Sequence, residues 1–127
     1  MLKTIALLAL AAGLTTLVHA ADIDGKWRAD FDSQIGQQKY VFELKADGDK
    51  LTGTATFERQ DTKGQVTLVD GKISKDHVSF TEPQKFQDQE VRIEYTGTVA
   101  GDELKLHRKV ADITEYDIVA HRVKSKS

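Results

Sequence analysis

Gly71-Lys72-Ile73-Ser74-Lys75-Asp76-His77-Val78-Ser79-Phe80 and, 26 residues later, Gly97-Thr98-Val99-Ala100-Gly101-Asp102-Glu103-Leu104-Lys105-Leu106 share one layout: glycine, apolar residue, aspartate and two alternating apolar residues at the same offsets. Alternation of apolar and polar residues is the period of a half-buried strand, so each copy reads as strand, tight polar turn and returning strand. The aspartate stands where a short side chain hydrogen-bonds nearby amides and stabilises a turn. A weaker copy lies 27 residues upstream, with Asp49, Leu51 and Gly53 in the places of Asp76, Val78 and Phe80. Three related hairpins in succession describe a meander.

The same period extends to both sides, in Tyr40-Val41-Phe42-Glu43-Leu44, Leu51 to Phe57 and Val91-Arg92-Ile93-Glu94-Tyr95, and no window sustains a helical stripe. Counting from the turns predicts eight strands, near 24–32, 38–46, 50–59, 64–73, 77–82, 86–99, 102–110 and 113–123. Eight antiparallel strands can close on themselves, and closure removes the unpaired edges of an open sheet. The expected fold is therefore all-β, an eight-stranded up-and-down barrel. Val66 and Leu68 differ in parity from Ile73, which predicts a bulge near Val69 to Gly71.

Residues 1–20 read as an export signal: Lys3 is the positive start, Ile5 to Val18 an apolar run, and Val18-His19-Ala20 a small-residue cleavage site. The run spans about 14 residues, short of the roughly 20 that cross a bilayer as a helix. Residues 21–127 then form a single domain with no membrane span, periplasmic or secreted, as a monomer or small homo-oligomer. These 107 residues hold no cysteine, 17 basic and 20 acidic residues. Disulfides and thiolate metal sites are excluded, and a nucleic-acid partner is not expected from so acidic a balance. His77, His107 and His121 lack the spacing of metal ligands, and Ser33, Ser74 and Ser79 lie outside nucleophile motifs. No metal or other cofactor is expected.

Gly25-Lys26-Trp27 opens the first strand and Arg122 lies in the last. This arrangement resembles the calycins, the superfamily of lipocalins, fatty-acid-binding proteins and avidins. That resemblance implies that Trp27 and Arg122 meet at the closed end of the barrel. The stretch from Leu44 through Asp47-Gly48 to Leu51-Thr52-Gly53-Thr54 also resembles the second hairpin of avidins. The whole chain is similar to short exported bacterial barrel proteins that begin with an Asp-Gly-Lys-Trp-like element.

Parity assigns an interior of Trp27, Ala29, Phe31, Tyr40, Phe42, Leu44, Leu51, Gly53, Ala55, Phe57, Val66, Leu68, Val78, Phe80, Val91, Ile93, Tyr95, Leu104 and Leu106, with Gly53 and Ala55 leaving space on one wall. Continuing two strands in register turns Glu82 inward after Phe80 and Arg108 inward after Leu106. The last strand admits two registers. Tyr116, Ile118, Ala120 and Arg122 inward bury more apolar area than Glu115, Asp117, Val119 and His121. A buried polar group must be partnered or used. Glu82 and Arg108 therefore either neutralise each other, face solvent at a mouth, or serve a ligand, with Arg108 anchoring an anion. Trp27 and Arg122 close the barrel or offer a stacking platform.

Three functions fit. The first is binding of a small apolar or amphipathic molecule carrying an anionic or hydroxyl group, lined by Tyr40, Phe42, Tyr95, Glu82 and Arg108. The second is a cofactor-independent lyase or isomerase in which Glu82 and Arg108 are catalytic, as base and oxyanion stabiliser. The third is an inhibitor or partner-binding barrel acting through its loops, among which Glu82 to Glu90, with the sole proline, is the longest expected connection.

Overall fold

The computed structural model describes residues 22–33, 36–60 and 62–124. The expected signal at 1–20 lies outside these residues. Among the described residues nine strand segments follow one another: β1 (Gly25–Ser33), β2 (Gly36–Asp47), β3 (Lys50–Arg59), β4 (Thr62–Thr67), β5 (Val69–Ser74), β6 (His77–Phe86), β7 (Gln89–Ala100), β8 (Glu103–Val110) and β9 (Thr114–Arg122). Segments β4 and β5 are the two halves of one bent strand, parted at Leu68, so the architecture is the eight-stranded antiparallel up-and-down barrel. The register shifts between Val69 and Lys72, and Asp70 adopts a φ of 55°, which places the bulge where the parity of the sequence breaks.

The repeated hairpins have a shared purpose. Their two-residue loops are Gly48-Asp49, Lys75-Asp76 and Gly101-Asp102. In each the first loop residue has a φ near +60°, 65°, 58° and 61° in turn, and the second does not. That is the pattern of a type II′ turn, whose backbone twist matches that of the flanking strands. Each aspartate's main-chain carbonyl accepts an N–H from the next unit along the barrel: Ile73 to Asp49 at 3.0 Å, Val99 to Asp76 at 2.9 Å and Arg122 to Asp102 at 2.9 Å. The repeat thus stitches neighbouring hairpins together at the end of the barrel that holds Trp27.

Two expectations need correction. Glu82 to Glu90 is not a long loop: β6 runs through Pro83 to Phe86, and only Gln87 and Asp88 connect it to β7. Proline fits because the β5 ladder ends at the Val69–Thr81 pair, so at Pro83 no β5 acceptor awaits the missing N–H. Nor does Gly53 leave space. A Cβ there would lie 1.9 Å from the Glu43 carbonyl oxygen, and Gly97 meets Lys105 in the same way at 1.8 Å. At both glycines the neighbouring backbone occupies the room a side chain would need, which lets the strands coil sharply enough to close.

Most of the expected interior is the core, with Phe31, Val66 and Val91 only partly buried and Ile23, Ile73 and Val99 added to it. Trp27, Phe42, Ala55, Tyr95, Leu104 and Ala120 have no accessible surface, and β9 turns Ile118 and Ala120 inward. Closure is uneven. The β1–β9 ladder contains only Trp27–Arg122 and Arg28–His121, so above Arg28 the two strands part toward the open end. We call that end the mouth.

Candidate functional site

The two interior charges arise from strand parity alone. Phe80 and Glu82 on β6 are both buried, as are Leu106 and Arg108 on β8. Register then sets their neighbours: Phe80 pairs with Tyr95, Tyr95 with Arg108, and Arg108 with Tyr116. Tyr40 reaches across from β2.

Glu82 is fully buried and accepts three hydrogen bonds: from the Tyr40 hydroxyl at 2.7 Å and Gln84 Nε2 at 2.6 Å on Oε2, and from the Tyr95 hydroxyl at 2.6 Å on Oε1. Arg108 donates through Nη1 to the Tyr95 hydroxyl at 2.7 Å. Glu82 and Arg108 are thus joined through Tyr95 rather than by a direct ion pair. Tyr95 accepts from the cation and donates to the carboxylate, so the chain of donors and acceptors is consistent throughout.

Aromatic rings surround the guanidinium. Its carbon lies 5.1 Å from the Phe31 ring centre, 5.0 Å from Tyr40, 5.6 Å from Tyr95 and 6.0 Å from Tyr116. Arg108 is only 2% exposed, and its Nε has no hydrogen-bond partner. Burial opposes its charge, but the Tyr95 and Tyr40 oxygens and Glu82 outweigh that effect and make the cation harder still to deprotonate. Burial first, and then the Glu82 charge, pushes the Tyr40 and Tyr95 hydroxyls well above the ordinary tyrosine range. Both remain proton donors.

One inward step above Tyr40 stands Gln38, 3% exposed, whose Oε1 is also without a partner. Its orientation is fixed: Nε2 donates to Ser33 Oγ at 2.7 Å, and that hydroxyl donates to the Gly36 carbonyl at 2.9 Å. Gln38 and Gln84 were missed in the sequence, although the parity that reveals Glu82 extends to both. Phe42, expected at a ligand, lies below this layer, packed on Tyr40, Phe80 and Tyr95.

Trp27 and Arg122 meet at the other end. The guanidinium lies 4.3 Å from the ring centre, Trp27 Nε1 donates to the Ile23 carbonyl at 2.9 Å, and Arg122 binds the Asp22, Asp24 and Gly101 carbonyls and the Asp102 carboxylate. Here Arg122 ties the chain before β1 to the β7–β8 turn. Trp27 has no exposed face for a ligand.

No water-sized space touches Glu82 or Tyr95, both 0% exposed, so their surroundings are filled by the barrel's own side chains. Above them the filling is looser. Phe31, Val66, Val91, Val110 and Tyr116 are only partly buried, and the Phe31 and Tyr116 rings, 5.9 Å apart, plug the place where β1 and β9 separate. A groove of about 1090 Å³ lies elsewhere, across the outer face near Lys50, Thr52, Lys72, Ser79, Thr96 and Thr98, and none of its walls belongs to the Glu82–Arg108 network. No protein-family model, curated protein or solved structure matches the chain. What the fold and the network define is a small closed barrel with a buried, tyrosine-bridged acid–base chain below its mouth.

Proposed function

We propose that this protein binds a small amphipathic molecule at the barrel mouth, with Arg108 holding its anionic or hydroxyl group. The observation that carries this reading is the Arg108 Nε–H, a charged donor buried without an acceptor inside a four-ring cage. Leaving such a donor unpaired costs more than an ordinary lost hydrogen bond, so an incoming oxygen has something to gain there. Gln38 Oε1 offers a matching acceptor, which favours a group that can also donate. The apolar part of the ligand would take the place of the Phe31 and Tyr116 rings, which swing out through the parted β1–β9 seam. Kinship with the calycins belongs to the same reading, and the Trp27–Arg122 stack supports it.

Glu82 fits this role better than that of a catalytic base. It already accepts three hydrogen bonds and has no accessible surface, and a base needs a lone pair that a substrate can reach. We place the working compartment outside the cytoplasm, on the strength of the leader-like start; sequencing the N-terminus of protein from its host tests this, with Ala21 expected first.

Binding is tested with decanoate, decanol and benzoate as probes. A ligand present at about 100 times its Kd stabilises the folded state by about 2.7 kcal/mol, readily seen as a rise in Tm. Decanoate should raise the Tm of the natural protein and lose that effect in Arg108→Gln, and native mass spectrometry of host-purified protein should show a retained small molecule. No shift from any probe at millimolar concentration, together with a bare protein mass, would overturn the proposal.

A further inference from the structure

On the outer face, directly behind the Arg108 cage, His107 is held at both ring nitrogens: Nδ1 lies 2.8 Å from Asp117 Oδ1 and Nε2 lies 2.8 Å from Glu115 Oε1. A neutral imidazole has one N–H and one bare lone pair, while a carboxylate only accepts. Both contacts can be hydrogen bonds only when the ring is protonated. The two carboxylates flank Tyr116 in sequence, and Tyr116 is the ring that plugs the β9 side of the parted seam. On its seam side this part of β9 has no ladder to β1, so β8 alone holds it.

We propose that His107 is a proton-operated latch on the barrel mouth, pinning the Tyr116 segment of β9 to β8 when protonated and loosening it when neutral. The latch regulates the binding site proposed above and rests on that reading for its purpose, though its mechanics do not depend on it. The charged groups facing His107 are few. Across β9 stand Asp117 and Glu115. On β7, Thr96 is directly opposite and Glu94 lies diagonally; along β8 the outward neighbours are Lys105 and Lys109, Lys109 standing between Glu94 and Glu115 in the register. The hydrogen bond to Asp117, then that to Glu115, raises the His107 pKa above its ordinary value, so the latch releases at a higher pH than a free imidazole would titrate.

Opening must precede binding if the ligand displaces Tyr116, so the population of open mouth scales the apparent affinity. An exposed ion pair biases such an equilibrium by about two- to five-fold. Raising pH through the His107 titration should therefore increase the decanoate association rate and apparent affinity by a factor in that range.

The deciding measurement is NMR on the whole folded domain: the His107 titration followed by its ring protons, and amide exchange across residues 114–118 after correction for intrinsic base catalysis. Protection of that segment should fall as His107 deprotonates, and His107→Gln should show the low-protection value at every pH. In Glu115→Gln/Asp117→Asn the pH dependence should vanish. Protection that does not change across the titration, or an unchanged pH profile in the double variant, overturns the latch. If decanoate fails to bind at any pH while protection still follows His107, the binding reading falls and the latch stands.

Discussion

Glu82 shows how much one residue can hold when its neighbours are chosen by register. Its carboxylate joins β2, β6 and β7 through Tyr40, Gln84 and Tyr95, and Arg108 on β8 enters through Tyr95. Removing one buried charge strands the other, which typically costs about 3–5 kcal/mol, whereas replacing both by apolar groups is much milder. We predict that Glu82→Leu and Arg108→Met each lower stability to urea by an amount in that range. The double variant should lose clearly less than the sum of the two. Additive losses would mean that Tyr95 does not couple the pair. The inward positions of both residues were legible in the sequence, because parity carries from Phe80 to Glu82 and from Leu106 to Arg108. Their indirect linkage was not, since it depends on where β7 places the Tyr95 hydroxyl between them.

At the scale of single elements, the three repeated turns differ in one chemically telling way. Gly48 and Gly101 adopt the positive φ without steric cost, but Lys75 carries a Cβ into the same conformation at 58°. Substituting Lys75→Gly should stabilise the domain by about 1 kcal/mol, the low end of the cost of holding a residue with a Cβ in a sparsely populated backbone region, and Gly101→Ala should destabilise it similarly. Thermal denaturation of the two variants checks both signs. Gly97→Ala should cost more than either, because the strand must move away from the Lys105 carbonyl to admit a methyl group. The turn signals were the most readable part of the chain, since glycine and aspartate at fixed offsets act locally. Pro83 misled for the same reason. A proline ends a strand where its N–H would be needed, and only the position of the last β5 pair shows that here it is not.

Across the whole molecule the weakness lies in the closing seam. Two residue pairs and the Val123 to Lys26 main-chain bond join β1 to β9, while β1 and β2 pair along nine positions. Local opening concentrates where backbone hydrogen bonds are few. Amides of β1 above Ala29 and of β9 before Ile118 that face the seam should therefore exchange faster than those of β2, β6 or β7. Hydrogen exchange read residue by residue tests this, and uniform protection around the barrel would contradict it. The pH dependence of stability follows from His107. Its pKa is higher in the folded protein than unfolded, so its contribution is complete below the unfolded value and is lost as pH rises through the folded one. The midpoint of urea unfolding should fall slightly over that window, and less in His107→Gln.

The sequence by itself determined the number of strands, the three repeated turns, the bulge and the inward face of all strands but the last, because these follow from a two-residue period and from turn chemistry that acts over a few positions. That Trp27 and Arg122 meet was implied only by the resemblance to the calycins. Only the tertiary structure decided that Glu82 accepts three hydrogen bonds, that Arg108 keeps an unpaired Nε within a ring of aromatics, and that β1 and β9 part at the mouth. Those outcomes depend on how eight strands shear and coil as they close. Distances between side chains on non-adjacent strands are set by that closure, which no local pattern encodes.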